Sequence, residues 1–232
     1  MEYNTKGTVL KKAVVWKNLF FYRKSDAIFQ LTVEFCRRFL PPHGDRTVDQ
    51  MVQAARSGKQ NIIEGSEDGM TSSEMEIKLL NVARGSLQEL REDYVDFLNT
   101  RHLCLWSSTE PRQERLKEFC HSHNDFEDYA PLVERMNAEE FANLLLTLCH
   151  QTDKMMCAYV EKLEQRFVTE GGIKERMYAA RTGYRKSQDE YIKRLEEENR
   201  FLRAENERLT KMIEEIGGAR KSQETLGRPR RT

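Results

Sequence analysis

Proline is scarce in this sequence: five in 232 residues, two of them adjacent at Pro41-Pro42 and one at Pro229, so the chain is interrupted at few places. An excess of charge of one sign is also missing. Lys plus Arg equals Asp plus Glu at 38 each, which excludes global attraction to nucleic acid or anionic lipid and leaves only local patches to supply it. No apolar run approaches the roughly 18 residues of a membrane span. Met1 to Lys12 has no signal-peptide core, and the expected location is the cytoplasm. The five cysteines are odd in number and lack framework spacing, as free thiols would.

The chemistry of common enzymes is absent as well. There is no P-loop, dinucleotide fingerprint or nucleophile elbow. Carboxylate-bridged di-metal bundles need Glu-x-x-His on two helices, and the chain does not carry that motif twice. Cys149 and His150 are neighbours, about 100° apart around a helix, so they do not form a nucleophile–base pair. His102, Cys104, Cys120, His121 and His123 are the metal candidates, but they include no CxxC knuckle. The chain is therefore expected to be no enzyme and to need no cofactor or metal.

What is present is helical periodicity. Ile28, Leu31, Phe35 and Phe39 recur at three- and four-residue steps, and Pro41-Pro42 stops that helix. Thr47 to Gln50 reads as the capping box of a second helix with inner face Met51, Val52, Ala55, Gly58, Ile62 and Ile63, ended at Gly65. Thr71 to Glu74 caps a third, with Leu80, Ala83, Leu87, Leu90, Tyr94 and Leu98 in stripe. Residues 101–136 read as irregular apart from a short helix after Pro111. Asn137 to Glu140 caps a fourth long helix that ends at Gly171-Gly172. Four amphipathic helices must bury their stripes on one another. The expected fold is all-α: an antiparallel four-helix bundle over 25–172, preceded by a basic lead-in over 1–24.

After Gly172 the pattern changes. Residues 173–187 are basic. Over 188–217 a heptad runs with Ile192, Asn199, Asn206 and Ile213 at a and Leu195, Leu202, Leu209 and Ile216 at d, a leucine-zipper-like coiled coil. Asn199 and Asn206 each meet their own copies only in a parallel pair, so a parallel dimer is expected. Gly217-Gly218 should end the helix and 218–232 form a disordered basic tail. Gly183 should break any continuous basic helix leading into the zipper.

Asn61-Ile62-Ile63-Glu64-Gly65, followed by Asn81-Val82-Ala83-Arg84-Gly85-Ser86-Leu87-Gln88-Glu89-Leu90, resembles the paired signature of the bacterial four-helix-bundle family that includes the 23S rRNA intervening-sequence proteins and the retroelement accessory variability proteins. Asp49 to Asn99, with Gly171 to Met177, resembles its suffix-domain subgroup. The likeness covers about residues 16 to 180, and the zipper lies outside the family pattern. It implies homo-oligomeric, ring-like assembly and, for the retroelement relatives, binding to nucleic acid and a reverse transcriptase.

Two readings follow. The first is a homo-oligomeric interaction scaffold whose zipper pairs with itself or with another coiled-coil protein. In it, Asn61, Glu64, Arg84 and Glu89 form a polar clasp between the second and third helices, which approach closely at Gly58, Gly85 and Ser86. The second is an accessory factor that contacts nucleic acid through Lys11, Lys12, Lys17, Arg56, Lys59, Lys174, Arg176 and Arg181. A basic stripe on one face would favour the second; dispersal of these charges among acids favours the first.

Overall fold

In the computed structural model, residues 15–41 and 46–226 are described, with side chains up to residue 215. A 3-10 turn at Trp16–Asn18 leads into helices α1 (Phe20–Phe39), α2 (Arg46–Asp68), α3 (Ser73–Thr100), α4 (Pro111–Ser122), α5 (Phe126–Val133), α6 (Ala138–Glu170) and α7 (Ile173–Leu226). The protein is all-helical, with no strand among the described residues. It divides into two units, 1–176 and 177–232.

In the first unit α1 packs on α2, α2 on α3, α3 on α6 and α6 on α1, while α4 rests on α6 and α5 on α1. The expected stripes supply the core. Leu80, Ala83, Leu87, Leu90, Tyr94 and Leu98 of α3 are all buried, as are Ile28, Leu31 and Phe35 of α1. Phe35 is the aromatic centre, with the rings of Phe39, Tyr94, Phe97 and Phe141 at 5.3, 5.2, 4.7 and 5.5 Å. Beside it the Tyr94 hydroxyl and Thr32 Oγ1 share a 2.8 Å hydrogen bond, so neither is buried without a partner.

The helix ends follow local chemistry. The Asn137–Glu140 box forms as expected: Glu140 N–H donates to Asn137 Oδ1, and Asn137 N–H to Glu140 Oε2, each at 3.0 Å. Gly171 ends α6 with φ +71°, a conformation favouring glycine. Other boundaries differ from expectation. The cap of α3 is Ser72, whose side chain accepts from Met75 N–H, rather than the Thr71–Glu74 box. α1 begins at Phe20, so the end of the expected lead-in is helix, and Phe21 and Lys24 are buried. α2 already runs from Arg46, ahead of the Thr47 box.

Residues 101–136 are more ordered than expected, because α1 holds them. Arg23 Nε donates to Asp125 Oδ1 at 2.7 Å, and Lys24 Nζ donates to the carbonyls of Cys120 and of His123, the latter at 2.6 Å. Arg38 donates to the carbonyls of Val133 and Met136, the latter at 2.8 Å. Lys24 and Arg38 meet carbonyls at the ends of α4 and α5, where a helix leaves acceptors without intrahelical donors.

The glycine expectation holds on α2 and fails on α3. A Cβ on Gly58 would lie 3.0 Å from Leu87 Cδ2, and one on Gly65 would lie 3.3 Å from Leu79 Cβ. Gly65 is thus a packing position inside α2, not its terminator; the helix continues to Asp68. Ser86 is buried against α2, its hydroxyl donating to Ser57 Oγ at 3.1 Å. Gly85 is exposed, and a Cβ there meets nothing within 4 Å. Gly85→Ala should therefore stabilise the protein by about 0.5–1 kcal/mol by restricting the unfolded chain. Gly58→Ala should fail to do so, because buried Leu87 must shift. Urea denaturation of the two variants checks this; a Gly85→Ala loss would contradict it.

Candidate interaction surfaces

The second unit offers the plainest surface. α7 is one helix from Ile173 to Leu226, running through both Gly183 and Gly217-Gly218. Gly183 therefore does not break it, and the start of the expected tail is helical. Leucine and isoleucine at the heptad positions are uncovered: Ile192 is 49% exposed, Leu195 41%, Leu202 52%, Leu209 46% and Ile213 69%. Asn199 and Asn206 are exposed along the same seam, and the side chain of Ile216 lies outside the described residues. The stretch Ile192 to Ile213 is about 32 Å of helix. Met177, Tyr184 and Tyr191, all more than half exposed, recur at seven-residue steps toward the start of α7, at g positions beside the a and d seam. The segment 173–187, expected as basic, thus also carries exposed Met177 and Tyr184 seven residues apart.

The four residues of the expected clasp do not meet one another. Arg84 Nε donates to Asp153 Oδ1 of α6 at 2.8 Å, and Arg84 Nη1 to Asn81 Oδ1 at 3.1 Å. The bond to Asp153 raises the arginine above its already high range. Asn61 Nδ2 donates to the Ser57 carbonyl one turn earlier. Glu64 is exposed and accepts from Gln60, and Glu89 is exposed on α3. The reason is helical phase: Glu64 and Glu89 fall on outward positions, so only Arg84 reaches across to another helix, and that helix is α6.

The expected nucleic-acid residues are dispersed. Lys59 is occupied by Asp26 at 3.1 Å and sits over the Phe29 ring. Arg56 lines a groove between α2 and α3 together with Arg46 and the acids Asp49, Glu89 and Asp93. There the Asp93 carboxyl is pushed up by burial and by Asp96 and Glu89, so acids crowd the groove. Lys17, Lys174 and Arg181 are exposed and Arg176 is half-buried; Lys11 and Lys12 lie outside the described residues.

Among the described residues no group of three or more His, Cys, Asp or Glu side chains stands close enough to hold a metal, and no disulfide forms. No helix among the described residues is long and apolar enough to cross a membrane. Comparison of the chain with family models, with curated proteins and with solved structures yields no match.

Proposed function

We propose that this protein is a non-enzymatic, homo-oligomeric interaction scaffold of the cytoplasm, built as an antiparallel four-helix bundle with a C-terminal parallel coiled coil. The uncovered seam of α7 carries this reading. A helix in water draws most of its stability from burying an apolar face. α7 exposes Leu195, Leu202 and Leu209 at every d position whose side chain is described. Burying one leucine stabilises by about 1.5–3 kcal/mol, so a second copy of the helix is the occupant that matches the seam along its length. Glu198 at g would face Arg203 at e of that copy. The two asparagines set register and strand number while lowering stability. The likeness to the bacterial four-helix-bundle family supports self-assembly of the body as well.

A second reading, contact with nucleic acid, is favoured by one observation. Because α7 is unbroken at Gly183, Lys174, Arg181 and Arg185 share a helix with the zipper. The dispersal of Arg56 and Lys59 among acids favours the scaffold.

Sedimentation equilibrium of the full chain tests the scaffold. Leu195→Asp/Leu202→Asp should lower the assembly mass and reduce helicity, while the melting transition of the body stays. An unchanged mass would remove the coiled-coil reading. Asn199→Ile/Asn206→Ile should raise the stability and scatter the oligomer state.

A further inference from the structure

A cleft of about 810 Å³ opens between α3, α4, α6 and the segment joining α3 to α4. Ligand sites typically span ~300–1,000 Å³. One side is apolar, made by Val95, Leu105, Trp106 and Leu146. The other is basic: Arg91 from α3, Lys117 from α4 and Lys154 from α6 line it, with Glu118 the one carboxylate among the lining residues. Elsewhere the chain answers its cations between elements, as in Arg23–Asp125, Lys59–Asp26 and Arg84–Asp153. Among the described residues Arg91, Lys117 and Lys154 take part in no ion pair. Three separate helices thus deliver a cation to one cleft without a carboxylate partner. His150, also in the lining, is held below the usual histidine range by burial and then by the charges of Arg91, Lys154 and Lys117.

The apolar wall is held in place. Trp106 N–H donates to Asn143 Oδ1 at 2.9 Å, and Trp106 Nε1 donates to Glu139 Oε1 at 2.9 Å. Asn143 Nδ2 in turn donates to the Cys104 carbonyl, and Cys104 N–H to Glu139 Oε2, each at 2.9 Å. The Arg112 guanidinium lies over the indole at 4.3 Å. Two α6 side chains therefore fix a connecting segment that presents half-exposed Leu105 and an indole. A wall ordered before binding lowers the entropy lost when a ligand arrives.

We propose that this cleft binds a small organic anion with an apolar body, such as an aromatic carboxylate, sulfonate or phosphate ester. The body lies against Trp106 and Leu146, and the charged end meets Arg91, Lys117 and Lys154. The inference is independent of the assembly reading, since every residue it uses belongs to one copy of the first unit.

The test uses Trp16→Phe protein, which leaves Trp106 as the one tryptophan. Energy transfer from Trp106 is titrated with anilinonaphthalene sulfonate and with its uncharged phenylnaphthylamine analogue. The sulfonate should bind saturably and about tenfold more tightly, since three partly exposed ion pairs of ordinary strength sum to about that factor. Arg91→Gln/Lys117→Gln/Lys154→Gln should abolish the difference and leave the uncharged compound bound. Asn143→Ala should weaken both by loosening the wall. If the triple variant does not fold, exposed Lys154→Gln alone should still lose about twofold for the sulfonate only. Equal affinity for the two probes, a preference that survives the substitutions, or no saturable transfer from Trp106 would each overturn the proposal.

Discussion

Phe35→Ala should destabilise the first unit by about 3–5 kcal/mol, the range for deleting a buried aromatic ring. Total stabilities of ~5–15 kcal/mol leave little margin for such a loss. The site is severe for a geometric reason. The ring is fully buried, and its four ring neighbours come from three helices: Phe39 on α1 itself, Tyr94 and Phe97 on α3, and Phe141 on α6. The Tyr94 ring is further tethered through its hydroxyl to Thr32. Collapse around the hole would have to move several helices, so the cavity persists and the cost stays near the upper part of the range. Edge-to-face pairs also contribute beyond the area they bury. Phe35→Leu keeps much of the volume and should cost under half as much. Phe20→Ala, at a side chain 58% exposed, should stay within ~0.5 kcal/mol. Denaturant titration followed by near-ultraviolet dichroism checks the order; a Phe35→Ala loss below that of Phe35→Leu would refute this account of the core.

The fold was legible where the information was periodic or local. The α3 stripe from Leu80 to Leu98 repeats over about five turns, and each of its positions is buried. The Asn137–Glu140 box is a four-residue signal and formed as read. α5 was missed because its eight residues are too few to display a period and its N-terminal carboxylate, Asp128, replaces the usual Glu or Gln. The segment before it owes its order to Arg23 and Lys24, about a hundred residues earlier, and no local pattern reports that.

The candidate site residues were less legible, and two of the errors were avoidable. Gly85 stands two residues from both Ala83 and Leu87, which are buried, so helical phase already places it on the opposite face. A count of small residues hid this. Charge counting likewise placed Lys24 in a basic lead-in. Yet Lys24 falls three residues after Phe21 and four before Ile28, on the line of Phe21, Ile28, Leu31 and Phe35, all buried. A lysine at the period of an apolar stripe is the signal for a buried cation. The Arg84–Asp153 pair, by contrast, joins residues far apart in the chain and has no signature in a single sequence. The same holds for the cleft at Arg91, Lys117 and Lys154, whose cations come from three helices.

Lys24 supplies the second large effect, and it appears as a pH dependence. Its side chain is 1% exposed, and desolvation lowers the amino group from its usual 10.5 to about 8, against smaller opposing contributions from Cys120, Asp128 and Asp125. Between about 8 and 10.5 the unfolded chain holds a proton on this lysine that the folded protein has released. The unfolded state binds more protons there, so this group makes stability rise with pH, by about 3 kcal/mol across the window. Below pH 8 both states are protonated and the contribution is flat. Other groups mask the trend: burial pushes Cys120 and Cys149 up to about 12, so these thiols resist ionisation in the folded state and lower stability as pH passes their unfolded value. The difference between wild type and Lys24→Met isolates the lysine, because the thiols titrate in both proteins. Lys24→Met also leaves the buried Cys120 carbonyl without its lysine donor, a loss of about 1–3 kcal/mol, whereas the His123 carbonyl keeps the Tyr129 hydroxyl at 2.6 Å. At pH 7 the variant is also relieved of the lysine's desolvation, about 3 kcal/mol by the same shift, so it should be at least as stable as the wild type. From pH 8 to 10.5 the wild type should gain on the variant, since its own lysine no longer carries a buried charge. Urea midpoints of the two proteins at pH 7, 8.5 and 10 measure this directly. A wild type that loses stability relative to the variant with rising pH would mean that the charged amino group, held by the two carbonyls at the end of α4, is the favoured form in the folded protein.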